Sequence, residues 1–409
     1  MAVLVANVTR ATANFDSCFG MGMVDGISLT CDPILLKIPP FGFDTSVLED
    51  AAKEPTLTYE NYLNIEKLLS CLQLRSPKFG KSEHDEHLFI TVHQAHELWF
   101  RQMIFEVDSI RATLRERPFD QTKMLYVNNR MDRIILILKL LLDHLSILET
   151  MHPVSYFNFR DYLSPASGFQ SAQFRVFENK VGIKPDDRIP YMREEYLTKC
   201  NPDKQEDILN ALDEDTLFQI RWLEQTHGLE EDGFNFWKRF GEKVEERLSD
   251  IKAREEVADA DQKPVLKKEL DVCKDIFQKV LNEDEYKKLL ARKEVRLSHK
   301  ALQGALMISF YRNETWLQQS FQFLTKLIDV DACMSKWRYN HLLMVHRMIG
   351  AKPGAGGSSG YHYLKATISD KYRIFLDLFN LASYYLPQEF VPVLTESMKT
   401  YLSPTGNPK

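Results

Sequence analysis

The sequence predicts an all-α protein, and two observations carry that prediction. From residue 56 onward apolar residues recur at three- and four-residue spacing, as in Ile65, Leu68, Leu69 and Leu72, which is the period of a helix with one buried face. No segment shows a convincing alternation of apolar and polar residues, which a half-buried strand would require. Because 409 residues are ample for a core, we expect a single large helical domain.

The predicted domain covers residues 56–402 and follows an irregular N-terminal arm, residues 1–55, in which Pro33, Pro39 and Pro40 interrupt any pattern. Within the domain, residues 228–300 are rich in Lys and Glu and are interpreted as a solvated helical pair rather than a binding feature. The segments with helical periodicity are 56–72, 86–114, 130–151, 215–226, 233–257, 263–281, 298–313 and 371–386.

Charge and cysteine usage exclude several classes of protein. A formal net charge of −6 gives no reason to expect nucleic acid or an anionic membrane as a partner. The N-terminus lacks the basic region of a signal peptide, and the longest apolar run, residues 134–142, is too short to cross a bilayer. We expect a reduced, cytoplasmic location without a disulfide framework, because no C-x-x-C pair occurs among Cys18, Cys31, Cys71, Cys200, Cys273 and Cys333.

Histidines are the first candidates for chemistry. His84 and His87 stand three residues apart in "HDEH" and could begin a metal site, but a metal needs a third ligand of fixed geometry. The alternative, which we favour, is the polar start of a helix with Asp85 and Glu86 in its first turn. His93 shares a helix face with Phe89, a largely aromatic surface, so it is either a satisfied core residue or a group that faces a pocket.

Arg160 is surrounded in sequence by Tyr156, Phe157 and Phe159. An arginine in such aromatic company either pairs with a buried carboxylate of the protein or receives the carboxylate of a ligand. Its planar fork suits both partners, so the residues alone leave the two alternatives open.

The stretch "RYNHLLMVHRMIGAKPGAGGSSG" holds two further histidines. Helical spacing places His341 on one apolar face with Met334, Trp337, Met344 and Met348, as an axial haem ligand or an ordinary core histidine would require. His346 falls with Arg338 and Leu342, a face that we expect nearer solvent. The glycine-rich loop that follows matches no phosphate-binding motif, and its glycines suit either a mobile cover over a site or an ordinary flexible connection.

Several long motifs occur in an order that resembles the tryptophan 2,3-dioxygenase family. They are "HDEHLFITVHQAHELWF", "FRDYLSPASGFQSAQFR", "GFNFW", "ALQGALMISFYR", "KWRYNH" and "GGSSGYHYL". The resemblance runs from about Tyr59 to Leu386. It implies an all-helical, homotetrameric enzyme that uses haem b, with its iron, to insert both atoms of O2 across the indole 2,3-bond of L-tryptophan, which gives N-formylkynurenine.

The resemblance also implies roles for individual residues. His341 would be the ligand of the haem iron, with Trp337 packed beside it, and His93 would be the catalytic histidine that meets the indole N–H. Arg160 would hold the substrate carboxylate with help from Tyr156. The remaining implied residues line the pocket or reach it from a neighbouring subunit: Phe89, Leu163 and Ser167 in the first group, and Tyr59, Tyr62 and Leu63 in the second.

The chain departs from the family pattern at several positions. Ala355 stands in "GAGG" where the family has a threonine whose hydroxyl helps to hold the substrate ammonium group. Val92 and His96 replace a threonine and a tyrosine beside His93, and Glu60 of "YENYL" replaces a glycine. Two other functions therefore stay open: a divergent haem oxygenase of this fold that acts on another indole or aromatic substrate, and a non-catalytic protein that binds haem or tryptophan.

Overall fold

The computed structural model describes residues 57–116, 121–189, 195–213, 216–217, 221–224, 236–354, 360–396 and 399. The predicted N-terminal arm and Ala355 lie outside these residues. Within them every regular element is helical, which confirms the predicted all-α class. No helix in this part of the chain is long and apolar enough to cross a membrane.

Three long helices dominate the structure and are joined by shorter ones. In chain order the α-helices are α1 (Tyr59–Leu63), α2 (Ile65–Ser70), α3 (His84–Arg115), α4 (Met124–Leu148), α5 (Pro153–Leu163), α6 (Ala172–Val181), α7 (Glu195–Thr198), α8 (Pro202–Asp213), α9 (Arg221–Glu224), α10 (Phe236–Val257), α11 (Lys263–Leu281), α12 (Glu283–Ala291), α13 (His299–Phe310), α14 (Gln318–Ile349), α15 (Gly360–Ala366) and α16 (Leu376–Phe379). Short 3₁₀ turns, such as Ser76–Phe79 and Gly168–Gln170, connect several of them.

The segment 56–72 forms two short helices instead of one. The break falls at Asn64, whose φ of 52° is left-handed, a conformation that asparagine tolerates better than most residues. The chain divides into two units after Glu66. Residues 57–66 belong to the first unit, and the helices from α3 onward belong to the second.

The predicted helix over residues 371–386 is wrong. This segment contains a 3₁₀ turn at Asp370–Tyr372, the short α16 and a second 3₁₀ turn at Asn380–Tyr384. The amide of Ile374 donates to the Asp331 carboxylate at 2.9 Å, and Arg373, which pairs with the same carboxylate, is extended. Because the Ile374 amide is bonded to Asp331, a buried residue of α14, it cannot donate to a helical carbonyl, and a continuous helix cannot form here.

The main core lies where α4 packs along α14 and α3 packs against α4. Its side chains include Met103, Met131 and Leu327, all fully buried. A second, smaller core cluster joins α3, the C-terminal end of α4, α5 and the C-terminal half of α14. Its buried members are Val92, Leu145, Leu148, Met151, Phe159, Met344 and Met348. This second cluster supports the candidate site.

A buried ion network fixes the middle of α14 against α6. The carboxylate of Glu178 accepts hydrogen bonds from Arg175, Arg188 and Arg338 at 2.9 to 3.0 Å. Although burial opposes ionisation, the charges of Arg188, Arg175 and Arg338 lower the pKa of Glu178 to about 2. Arg338 is only 4% exposed, so the expectation that its helix face lies near solvent is wrong.

The charged region over residues 228–300 contains α10 and α11, which pack against each other. Their outer faces carry ion pairs one helical turn apart, among them Lys243 with Glu246 at 2.6 Å and Lys279 with Asp275 at 2.6 Å. Such exposed pairs add little stability, and they fit a solvated helical pair as predicted.

Candidate active site

The first turn of α3 anchors the site. This helix begins at His84, with Asp85 and Glu86 in its first turn, as the helix-start interpretation predicts. Glu86 is fully buried, and its carboxylate accepts the amides of Arg75 and Ser76 at 2.7 and 2.9 Å. The Arg75 side chain donates to the Tyr162 carbonyl at 2.5 Å, so the start of α3 is tied to α5. His84 and His87 are exposed.

His93 presents a defined nitrogen to the pocket. Its Nδ1 lies 2.7 Å from the carbonyl oxygen of Phe89, and a carbonyl only accepts, so Nδ1 carries the proton. Burial lowers the pKa of His93, although the Phe89 carbonyl and Glu97 oppose the shift. The ring is therefore neutral, and its Nε2 keeps a free lone pair.

His93 lies at the protein surface and not in the core. Its side chain is exposed, although enough protein surrounds it that burial is the largest influence on its pKa. The role of His93 as a group that faces a pocket stays a prediction.

His341 lies in the same electrostatic environment. Burial, with contributions from the nearby His93 and His96, lowers its pKa to about 4. No hydrogen bond or ion pair joins either ring nitrogen to the described residues, and the ring packs against Trp337 at a centroid distance of 5.0 Å. The neighbours predicted for its face, Met344 and Met348, are buried. His341 is thus a neutral imidazole with an available nitrogen.

Arg160 has no carboxylate partner among the described residues. One of its Nη atoms donates to the Pro353 carbonyl, and its guanidinium also hydrogen-bonds the Tyr156 side chain. Burial raises the pKa of Tyr156, and the charge of Arg160 partly offsets that shift. The second alternative, the carboxylate of a ligand, stays a prediction for Arg160.

Aromatic rings form the wall between these groups. Phe89 packs against His93 at 4.1 Å, Tyr156 at 5.8 Å and Phe159 at 5.7 Å between ring centroids. Leu163 packs on the same cluster. Ser167 caps the turn at Gly168–Gln170, where its hydroxyl accepts the Phe169 amide at 3.3 Å. Aromatic walls of this kind suit a flat, apolar ring.

Sequence reasoning missed contacts that the loop after α14 makes. Gly350 ends this helix with a φ of +60°, and the Lys352 ammonium lies 3.9 Å from the centroid of the Phe157 ring. Together with the bond from Arg160 to Pro353, this cation–π contact holds the start of the loop on α5. No sequence pattern signals either contact, because both depend on how α5 and α14 meet.

The remaining predicted residues are placed as follows. His346 is exposed and packs against Tyr361 with 4.5 Å between ring centroids, so its predicted surface position is confirmed. Tyr59, Tyr62 and Leu63 of the first unit are exposed by 71%, 69% and 42%. No group of three or more His, Cys, Asp or Glu side chains in the described part of the chain could hold a metal ion.

The described helices carry two histidines with lowered pKa values, a cluster of aromatic rings and an arginine without a carboxylate partner among the described residues. Such a set is typical of a helical enzyme that binds an aromatic substrate and a cofactor. Comparison with known proteins specifies the family. The sequence profile of tryptophan 2,3-dioxygenase matches residues 45–385, and the chain belongs to that family of haem-dependent oxidoreductases.

Relatives from several vertebrates agree. The chain is 47% identical over 360 residues to tryptophan 2,3-dioxygenase A of Danio rerio, covering 86% of this chain and 87% of the relative. It is 45% identical over 388 residues to the tryptophan 2,3-dioxygenase of Xenopus tropicalis, with 90% and 95% covered. The mouse (Mus musculus) tryptophan 2,3-dioxygenase is 46% identical over 358 residues, with 86% and 87% covered.

The residues present fit a haem group. His341 offers a neutral nitrogen, which is the form that ligates iron, and no protein partner among the described residues competes for it. The apolar face around it, from Met344 to Trp337, would keep water from the ring. Iron held by one histidine needs its other ligands from a macrocycle, which haem provides.

Proposed function

We propose that this protein inserts both atoms of O2 across the indole 2,3-bond of L-tryptophan or a close relative, giving N-formylkynurenine, with haem b held by His341. The observation that carries the proposal is the surroundings of His341, a residue distant from His93 in the chain: burial lowers its pKa to about 4, and the nearby His93 contributes to that shift. Membership of the tryptophan 2,3-dioxygenase family supports the substrate.

Haem, when bound, supplies the oxygen chemistry. The protein's part is to bind and orient the substrate. Arg160 binds the substrate carboxylate with its unused N–H groups, since a guanidinium and a carboxylate form paired, charge-assisted hydrogen bonds. The Tyr156 side chain, bonded to Arg160, keeps the fork in place.

His93 fixes the other end of the substrate. Because its Nδ1–H is committed to the Phe89 carbonyl, its Nε2 accepts the indole N–H, and the indole is thereby oriented in its plane. Phe89 packs on the His93 ring and, with Leu163, confines the indole from the side. The half-buried Ser167 closes the pocket edge. No proton needs to enter or leave overall, since the product contains every atom of tryptophan and O2.

We also propose that the protein forms a homotetramer. Several helix faces carry exposed apolar side chains at helical spacing: Leu98 and Phe105 on α3, Leu136, Leu140 and Ile147 on α4, and Tyr339 and Leu343 on α14. Burial of such faces against other copies would remove them from water. Tyr59, Tyr62 and Leu63 would then reach a neighbouring subunit's pocket. A cytoplasmic location is supported by the free thiols of Cys71, Cys200, Cys273 and Cys333.

Product analysis tests the activity directly. The reduced, haem-loaded protein is mixed with O2 and L-tryptophan, and the products are separated and identified by mass. N-formylkynurenine carrying two labelled oxygen atoms from ¹⁸O2 is the expected result. A singly oxygenated indole product would instead favour the divergent oxygenase, and binding without turnover would favour a non-catalytic protein.

A further inference from the structure

Beside the candidate pocket lies a group of three buried polar atoms without a protein partner. They are Nε2 of His96, Nδ1 of His144 and Nε1 of Trp337. None of the three residues has a role in the function proposed above beyond the packing of Trp337. A buried polar atom that makes no hydrogen bond costs about 1–3 kcal/mol, so three of them in one place require an explanation.

The three side chains come from three helices and are neighbours. The His96 ring on α3 lies 5.4 Å from the His144 ring on α4 and 6.3 Å from the Trp337 ring on α14, measured between centroids. No hydrogen bond joins His96 to either neighbour in this arrangement. His96 is therefore the middle member of the group.

The hydrogen-bonding character of each atom is fixed or restricted. Nδ1 of His96 lies 2.8 Å from the Val92 carbonyl and so carries the ring proton. Burial lowers the pKa of His96 to about 4, and the nearby His93 and His144 contribute, so its Nε2 is an acceptor at neutral pH. Nε1 of Trp337 is only ever a donor, while Nδ1 of His144 accepts or donates according to its tautomer.

A water molecule satisfies this set, since it both donates and accepts and needs two to four polar partners. It would accept from the Trp337 N–H and donate to Nε2 of His96, with Nδ1 of His144 as a third partner. We propose that His96, His144 and Trp337 hold a buried water molecule between α3, α4 and α14, and that His96 thereby acts as a positioning residue for the Trp337 indole.

The position of Trp337 gives this water a consequence. Its indole packs on His341 at 5.0 Å and on Phe174 at 5.2 Å between centroids, and it borders a small apolar cavity lined in part by Phe100 and Met334. Apolar contacts alone leave a ring free to shift into such a space. One directed hydrogen bond through the water fixes the indole, and with it one side of the His341 ring. The proposal does not depend on the reaction, since it concerns atoms of the protein alone.

The first test is a crystal structure of the full-length protein at a resolution that shows ordered water. We expect one water within about 3 Å of both Nε2 of His96 and Nε1 of Trp337, and none in the apolar cavity. A direct bond between the two side chains, a metal ion at this place, or an empty gap would each overturn the proposal.

The second test reports on the Trp337 N–H in solution. Ultraviolet resonance Raman spectra of the wild type and of Trp337→Phe are subtracted, so that only the Trp337 indole contributes. The same subtraction is made in a His96→Leu and in a His96→Gln background. Leucine has a similar volume but no acceptor, whereas the glutamine amide reaches close to the position of Nε2.

The expected spectrum is a hydrogen-bonded indole in the wild type, a free indole in His96→Leu, and a bonded indole again in His96→Gln. A free indole in the wild type would contradict the proposal, as would a bonded one in His96→Leu. Failure of glutamine to restore the bond would assign the effect to shape and remove the positioning role. These spectra do not depend on turnover, so each outcome can be interpreted even if the protein does not act on tryptophan.

Discussion

Glu178 on α6 accepts a hydrogen bond from Arg338 on α14 at 2.9 Å, and both side chains are almost completely buried. Arg338 lies next to Trp337 and three residues before His341, so this ion pair fixes the helix segment that carries the proposed iron ligand. The same carboxylate also binds Arg175 and Arg188, which brings three cations around a single anion.

Replacing Glu178 by glutamine should strongly destabilise the protein. The change leaves three buried guanidinium groups without their anion, and loss of one partner of a buried ion pair costs about 3–5 kcal/mol. Chemical denaturation of the two proteins at pH 7 measures the difference. Glu246→Gln on α10 is the control, because its exposed pair with Lys243 should contribute at most about 1 kcal/mol. Similar effects of the two changes would contradict the structural role of Glu178.

His341→Ala should lose most of the bound haem, whereas His346→Ala should retain it. His341 has an available neutral nitrogen on an apolar face, while His346 is exposed and its ring is tilted against Tyr361. Haem content per chain and the Soret spectrum of both purified variants measure the outcome. If both variants keep haem equally well, His341 is not the ligand.

Arg160→Leu should weaken binding of L-tryptophan far more than binding of tryptamine, which lacks the carboxylate. A charge-assisted contact of this kind contributes roughly 1.5–3 kcal/mol, which corresponds to an affinity loss of about tenfold to a hundredfold. Titration of both ligands against wild type and variant, followed through the haem spectrum, separates the two effects. An equal loss for both ligands would remove Arg160 from carboxylate binding.

The stability of the haem-free protein should fall as pH is lowered from 6.5 toward 4. Burial lowers the pKa of His96 from 6.5 to about 4, so in this window the unfolded chain binds protons that the folded chain excludes. By linkage, stability is then lost as pH falls, by on the order of 2–3 kcal/mol for this residue. Burial acts on His341 in the same direction.

Urea denaturation at several pH values checks the linkage. His96→Gln cannot titrate, so its stability should fall less steeply between pH 6.5 and pH 4 than that of the wild type. His87→Gln, at an exposed position on the same helix, serves as the control and should follow the wild-type slope. Parallel curves for all three proteins would show that His96 is not held neutral by burial.

Ala355→Thr should raise the preference for L- over D-tryptophan about fivefold. The threonine hydroxyl would add one hydrogen bond to the substrate ammonium group, worth on the order of 1 kcal/mol. Ala355→Val is the matched control, since valine has the shape of threonine without the hydroxyl. The ratio of kcat/KM for the two enantiomers is measured in all three proteins. If valine changes the ratio as much as threonine does, shape and not hydrogen bonding sets it.

Much of the fold was predictable because helical periodicity is a local property. The segment 263–281 was predicted as a helix and forms α11 with the same bounds. The helix predicted over 371–386 was wrong. The apolar pattern there is helical, but the carboxylate of Asp331, distant in the chain, accepts a hydrogen bond from the Ile374 amide. Periodicity indicates which side chains are buried, but it does not indicate which backbone amides hydrogen-bond to buried side chains elsewhere in the chain.

For the candidate site, the sequence by itself determined which residues are candidates. The sequence showed the apolar face around His341, the aromatic residues next to Arg160 and the helix face that His93 shares with Phe89. The tertiary structure alone decided the protonation states and partners: the proton on Nδ1 of His93, the lack of a carboxylate partner for Arg160 among the described residues, and the buried group around His96. These depend on desolvation and on contacts between α3, α4, α5 and α14, which arise only when residues far apart in the chain are packed together.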